Sequence, residues 1–127
     1  MIVQVKKLPH APPEQLFKKH NTDAGYDLRC ARDIIIKPVQ ELKTETDNVT
    51  FSDGTVHRRS VYEKQLIPTG IQIAPEDLSY FWLVPRSGFS SKYLMGIRNV
   101  PGLVDFEYRG EVFISAIAFG HAIPVAR

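Results

Sequence analysis

The stretch Gly102-Leu103-Val104-Asp105-Phe106-Glu107-Tyr108-Arg109-Gly110-Glu111-Val112 reads as an apolar, hairpin-like strand that spends three acids, a tyrosine and an arginine along its length. On an edge strand, Glu107, Arg109 and Glu111 would alternate on the exposed face. That accounts for three charges but not for Asp105 and Tyr108, which stand between Leu103-Val104 and Val112-Phe113. A carboxylate held beside apolar groups is a candidate general base.

Outward from this segment the chain is cut into short pieces by 9 prolines and 8 glycines, spread throughout rather than pooled in a linker. Helical periodicity is nearly absent. The pattern predicts strands at Ile2–Lys6, Asp33–Lys37, Gln65–Ile67, Ile71–Ala74, Tyr80–Val84 and Glu111–Ala118. It also predicts a hairpin closed by a two-residue Asp53-Gly54 turn within Ser52–Thr55. One short helix is expected at Ser90–Met95. Many short strands with regular turns predict an all-β sandwich or barrel. The segment from about Pro38 to Ser60, rich in Thr, Glu, Lys and Asp, is expected to be an exposed excursion carrying little chemistry.

The bulk composition narrows the partners. With 127 residues the chain is most simply one domain, and a domain of this size gains from oligomerisation because it buries only about two-thirds of its unfolded surface. Hydrophobic residues at 43% and charged residues at 24% are ordinary for a globular protein and argue against disorder. Sixteen Lys and Arg against 14 Asp and Glu leave a net charge of +2, too small to imply nucleic acid. No apolar run approaches the ~20 residues of a membrane span, and no membrane partner is expected. The N-terminal MIVQVKKLPH places its lysines after a very short apolar run, unlike a secretory leader, so the reading is intracellular and cytoplasmic. A lone Cys30 can form neither an internal disulfide nor a thiolate zinc site, and is expected to be a small apolar filler. A zinc deaminase, which needs H-x-E and P-C-x-x-C, cannot be built from one cysteine with His10, His20, His57 and His121. Those histidines are expected on the surface or in loops.

Two further polar motifs interrupt the apolar pattern. Ala24-Gly25-Tyr26-Asp27-Leu28-Arg29, taken alone, is a turn leading into a strand. Pro85-Arg86-Ser87-Gly88-Phe89-Ser90-Ser91-Lys92 follows the apolar strand Tyr80–Val84. A strand that ends in a Ser-Gly turn and opens a helix can aim N–H groups, a hydroxyl and two cations at a phosphate. It can equally be a helix capped by Ser87 or Ser90.

Taken together, AGYDLR, PRSGFSSK and NVPGLVDFEYRGEV, in this order and at these intervals, resemble the first three motifs of the trimeric dUTP pyrophosphatases (dUTPases), over roughly Ala24 to Gly120. The resemblance implies a β-jelly-roll (β-clip) subunit with one short helix. It further implies a homotrimer with three sites at subunit interfaces, and Mg²⁺-dependent cleavage of dUTP to dUMP and pyrophosphate. Carried over by position, Asp105 is the base that activates water, and Tyr108 lies under the deoxyribose. Asn99 and the backbone of the Gly102–Asp105 hairpin, Val104 included, hold the uracil edge. Arg86, Ser87 and Gly88 bind the phosphates, and Asp27 reaches the metal through water. The Arg109/Glu111 pair is expected to hold the hairpin or a neighbouring subunit. Such chemistry calls for a single outer carboxylate rather than a dense ligand cluster, because magnesium keeps its waters and prefers phosphate oxygens.

The chain departs from the family pattern in three ways. Glu107 stands where a second Asp is usual, and extra residues lie between Ile36 and Val61. The sequence ends with His121–Arg127, where a Gly-x-Arg-Ile-Ala-Gln-like fourth motif and then a glycine-rich fifth are expected, so residues 1–127 are read as one domain incomplete at its C-terminus. Two rival readings are a dCTP deaminase of the same fold, which lacks the pocket tyrosine, and a non-catalytic trimer that binds nucleotide or a protein partner.

Overall fold

The computed structural model describes residues 3–98 and 102–127. In chain order the strands are β1 (Val3–Lys7), β2 (Ile34–Ile36), β3 (Thr44–Thr50), β4 (Val56–Tyr62), β5 (Leu66–Pro68), β6 (Ile71–Pro75), β7 (Phe81–Leu83), β8 (Met95–Ile97), β9 (Gly102–Val104), β10 (Phe113–Ala118) and β11 (Ile123–Val125). The helix α1 (Ser87–Tyr93) lies between β7 and β8. The described chain is therefore all-β with one short helix, as expected.

Every ladder is antiparallel, and almost none joins sequential strands: β1 pairs with β6, β2 with β11, β7 with β9, and β10 lies between β5 and β8. Among the described residues the one local pair is the hairpin β3–β4. β6 shows how the pattern works, since Ile71, Ile73 and Pro75 are buried while Gln72 and Ala74 between them are not, the period of two expected of a half-buried strand. Two apolar clusters result. One gathers Cys30, Ile36, Ile67, Ala116, Ala118 and Ile123. The other joins Ile71, Ile73 and Val112, with Leu16, Leu28, Phe81 and Leu83 packed against it. Each fully buried isoleucine or valine contributes about 1.5–3 kcal/mol.

The β3–β4 hairpin stands away from both clusters, with most of its residues exposed. Its turn differs from the two-residue expectation. Gly54 N–H donates to Phe51 O at 2.9 Å and Phe51 N–H to Thr55 O at 2.8 Å, which leaves Ser52, Asp53 and Gly54 as a three-residue loop. Gly54 takes φ +87°, the left-handed conformation such a loop demands after its first turn. Asp53 stabilises it by accepting from the Thr55 amide and hydroxyl.

The opening segment is corrected most. β9 pairs with β7, Phe81 opposite Val104 and Leu83 opposite Gly102, so Gly102–Asp105 is not a hairpin with the strand that follows. Asp105 to Glu111 is not strand at all, and β10 begins at Phe113 rather than Glu111. Tyr108 N–H turns back to Asp105 O at 3.1 Å, and the Arg109 guanidinium donates to Phe106 O and Tyr108 O. Local side chain–backbone bonds from Tyr108 and Arg109 compete here with a strand ladder. β8 and β11 were not anticipated, being three-residue strands with no alternation to read. The helix begins three residues earlier than expected, with Arg86 as its N-cap and no side-chain cap, so neither Ser87 nor Ser90 caps it. It ends where Leu94 adopts a left-handed conformation at φ 56°.

Candidate active site

The Ala24–Arg29 motif is tied down on its N-terminal side. Asp27 N–H donates to Phe17 O at 2.8 Å in a single antiparallel bridge, and Lys18 places its ammonium 4.6 Å from the Tyr26 ring. Arg29 lies over the Phe17 ring and pairs with Glu14 at 3.3 Å. Ala24 and Gly25 bend the chain into the bridge at Asp27, and the Asp27 carboxylate is turned toward the start of α1.

β7 delivers the second motif. Pro85 and Arg86 continue beyond Leu83, and Arg86 Nε stands 3.6 Å from Asp27 Oδ1. The carboxylate is half-buried and the guanidinium largely exposed. Ser87 and Gly88 are exposed on the first turn of α1. Nothing lies within 4 Å of where a Gly88 side chain would be, so the chain's own packing does not require glycine there. The first two motifs thus meet at the rim of a crevice of about 380 Å³. Tyr26, Trp82, Val84 and Arg86 stand along that rim, over an apolar floor that includes Ile67 and Ile114. Cys30 lines the crevice too. Its thiol donates to Ala126 O at 2.8 Å, and burial pushes its pKa up, so it serves as the apolar filler expected.

The third motif is elsewhere. Asp105 follows Val104, which faces Phe81, whereas Arg86 lies beyond the opposite end of β7. At ~3.3 Å per residue an extended chain from Tyr80 to Arg86 spans at most about 20 Å, and Asp105 and Arg86 follow opposite ends of the β7–β9 pair. Asp105 is exposed, so its apolar neighbours in sequence do not enclose it, contrary to the expectation of a carboxylate held beside apolar groups. Tyr108 is also exposed, and its hydroxyl donates to Glu111 O at 2.6 Å, closing the loop. A Cβ on Gly110 would sit 2.6 Å from that hydroxyl, so a larger residue there would push the Tyr108 ring aside. Gly102 is buried and Val104 partly so, both in β9. Asn99 lies outside the described residues.

Of the Arg109/Glu111 pair, expected to hold the hairpin or a neighbouring subunit, Arg109 bonds the loop's own carbonyls at Phe106 and Tyr108, while Glu111 bonds His10. His10 is exposed, as expected, yet it is anchored to the third motif. Sequence reasoning also missed Gln15, buried beneath the first motif and bonded to Arg29 and Thr69. An isolated glutamine in PPEQLF carries no periodic or motif signal that could have singled it out.

Among the described residues no group of three or more His, Cys, Asp or Glu side chains is gathered for a metal. A half-buried Asp27 beside an arginine fits a cation held mainly by a polyanionic ligand and reached through water.

Comparison with known proteins identifies the family. The dUTPase family pattern matches residues 50–125. A deoxyuridine 5′-triphosphate nucleotidohydrolase of Bifidobacterium longum (strain DJO10A) is 35% identical over 116 residues, 91% of this chain and 58% of the relative. Two solved Staphylococcus phage enzymes superpose over 94% of the chain. One is a phage phi11 dUTPase mutant studied for its structural Mg(II) ion, with TM-score 0.66, 25% identity and 61% of its length covered. The other is the bacteriophage 80alpha dUTPase with dUpNHpp, with TM-score 0.63, 28% identity and 55% covered. The chain spans 58% of the length of the curated relative it matches. With its strands in the jelly-roll arrangement of these proteins and its first and second motifs meeting at one crevice, the chain belongs to the dUTPase family.

Proposed function

We propose that the chain contributes to hydrolysis of dUTP to dUMP and pyrophosphate in the cytoplasm, acting as a homotrimer. The observation that carries this reading is the meeting of Asp27 and Arg86 at the crevice rim. The placement of Asp105 and Arg86 beyond opposite ends of the β7–β9 pair supports a site shared between subunits, each supplying its Asp105 and Tyr108 to the crevice of a neighbour. The exposed apolar side chains of Tyr80, Trp82, Val84 and Leu103 on β7, β9 and their flanks support the same arrangement, since solvent is a poor permanent neighbour for such a face.

In this reading Arg86, the Ser87 hydroxyl and the Gly88 backbone hold the phosphates, with the open space at Gly88 admitting a phosphate close to the main chain. Asn99 and the β9 backbone at Gly102 and Val104 hold the uracil edge. Tyr108 lies under the deoxyribose, leaving no room for a ribose 2′-hydroxyl. Asp105 takes a proton from water as the water oxygen bonds to the α-phosphorus. The bond from that phosphorus to the α–β bridging oxygen breaks, and pyrophosphate leaves with the electron pair. Asp27 holds Mg²⁺ through water, and the ion, when bound, offsets charge on the leaving group.

The test is pyrophosphate release from dUTP, dCTP and dTTP by the purified trimer, with and without Mg²⁺. Release from dUTP alone, dependent on Mg²⁺ and about 10⁴-fold above dCTP, is expected. Cleavage of dCTP or dTTP within tenfold of dUTP, or binding of dUTP without release, would overturn it.

A further inference from the structure

Gln15 is 6% exposed and bonded at every reachable atom of its carboxamide. Its oxygen accepts from Arg29 N–H at 2.6 Å, and its nitrogen donates to Arg29 O at 2.7 Å and Thr69 O at 2.7 Å. The first two bonds are those a neighbouring strand would make to one residue of an antiparallel ladder. A side chain is thus standing in for a strand along the first motif. Phe17, two residues on, supplies the real backbone bond to Asp27.

The reach continues beyond Arg29. Thr69, 1% exposed, donates its hydroxyl to Val112 O at 2.5 Å, immediately after the Glu111 carbonyl that holds Tyr108. Gln15 therefore joins the first motif to the end of β5 and onward to the chain leaving the third. The backbone next to Gln15 is strained: Leu16 takes φ 59°, a conformation a leucine rarely adopts, and packs against Ile71, Ile73 and Val112.

We infer that Gln15 is a positioning residue: acting through Arg29, it sets the place of the Asp27 carboxylate opposite Arg86 and thereby the affinity of the site for its divalent cation. This rests on the proposed dUTP hydrolysis, with Asp27 as the outer carboxylate. Residues that orient a metal-holding group typically shift metal affinity by about 10–100-fold when removed.

The experiment compares wild type, Gln15→Met and Thr69→Val as full chains. Gln15→Met is expected to raise the Mg²⁺ concentration giving half-maximal dUTP hydrolysis by about tenfold, with kcat at saturating Mg²⁺ within about threefold of wild type. Amide exchange at Asp27–Arg29 should quicken by about tenfold or more while that of β10 stays slow. Thr69→Val cuts only the onward link, and should lower thermal stability without moving the Mg²⁺ dependence. Should the methionine variant fail to fold, Gln15→Glu keeps the volume and the acceptor for Arg29 N–H while losing both donors, and the same two shifts are expected. An unchanged Mg²⁺ requirement with unchanged exchange at Asp27–Arg29 overturns the inference, as does an equal Mg²⁺ shift in Thr69→Val. A wild-type chain that releases no pyrophosphate defeats the catalytic reading instead. Exchange and Mn²⁺ binding in the presence of a non-hydrolysable dUTP analogue then decide the role of Gln15 on their own.

Discussion

Asp27 and Arg86, 59 residues apart in sequence, face one another at 3.6 Å where the segment bridged to Phe17 meets the chain leaving β7. The pair is too open to water to matter much for folding, since ion pairs of this exposure contribute at most about 1 kcal/mol. Arg86→Ala should therefore leave the melting temperature within about 4 °C of wild type, yet lower dUTP hydrolysis by about 10²-fold through loss of a donor to the departing phosphates. Thermal melts and steady-state kinetics on one preparation check both halves. A large melting shift with little kinetic effect would make the pair structural.

Asp105 is exposed within its own chain, so its replacement should not disturb the core. Asp105→Asn is expected to reduce turnover by about 10²–10⁴-fold while a non-hydrolysable dUTP analogue binds nearly as before. Unchanged turnover would remove Asp105 from the role of base.

Stability should be distributed unevenly. Ile36, fully buried on β2 opposite Ile123 of β11, should on replacement by alanine (Ile36→Ala) cost about 2–5 kcal/mol in urea unfolding, the lost transfer energy plus a cavity. Val61, on the protruding β4, is 45% exposed, and Val61→Ala should stay within about 0.5 kcal/mol. Comparable costs at the two positions would mean that the hairpin is packed in the assembly and not free.

Cys30 should behave as a poor nucleophile. Burial holds its thiol pKa above the ordinary cysteine value, so the thiolate that reacts with iodoacetamide forms only at higher pH than in an exposed cysteine. Alkylation of the folded chain should stay slow through the pH range in which a free thiol accelerates, and should become fast in denaturant. Rapid labelling of the native protein near pH 8 would show that the crevice opens to Cys30.

The candidate site motifs were legible because each is contiguous: a Ser-Gly turn after an apolar strand, or an acid and a tyrosine among aliphatic residues, needs no knowledge of distant contacts. The same holds for β6, whose alternation is written in Ile71-Gln72-Ile73. The exposed hairpin belongs here too, because its own cross-strand pairs, such as Asp47 with Arg59 at 2.6 Å, suffice to align it.

What the linear order could not decide is which strands become neighbours. β9 runs beside β7, and β10 runs between β5 and β8, because burying Ile67, Ala116 and Ile97 side by side outweighs the convenience of short connections. That choice carries Asp105 away from Arg86 and turns the charged stretch after it into a closed turn rather than a strand. The sequence by itself determined which groups are available and that the chain folds as short β-strands, since propensity and periodicity act over a few residues. Only the tertiary structure decided that Asp27 meets Arg86, that Glu111 bonds His10, and that a buried Gln15 serves as a strand's partner. Those outcomes depend on long-range burial and on the requirement that every polar group taken from water find a partner.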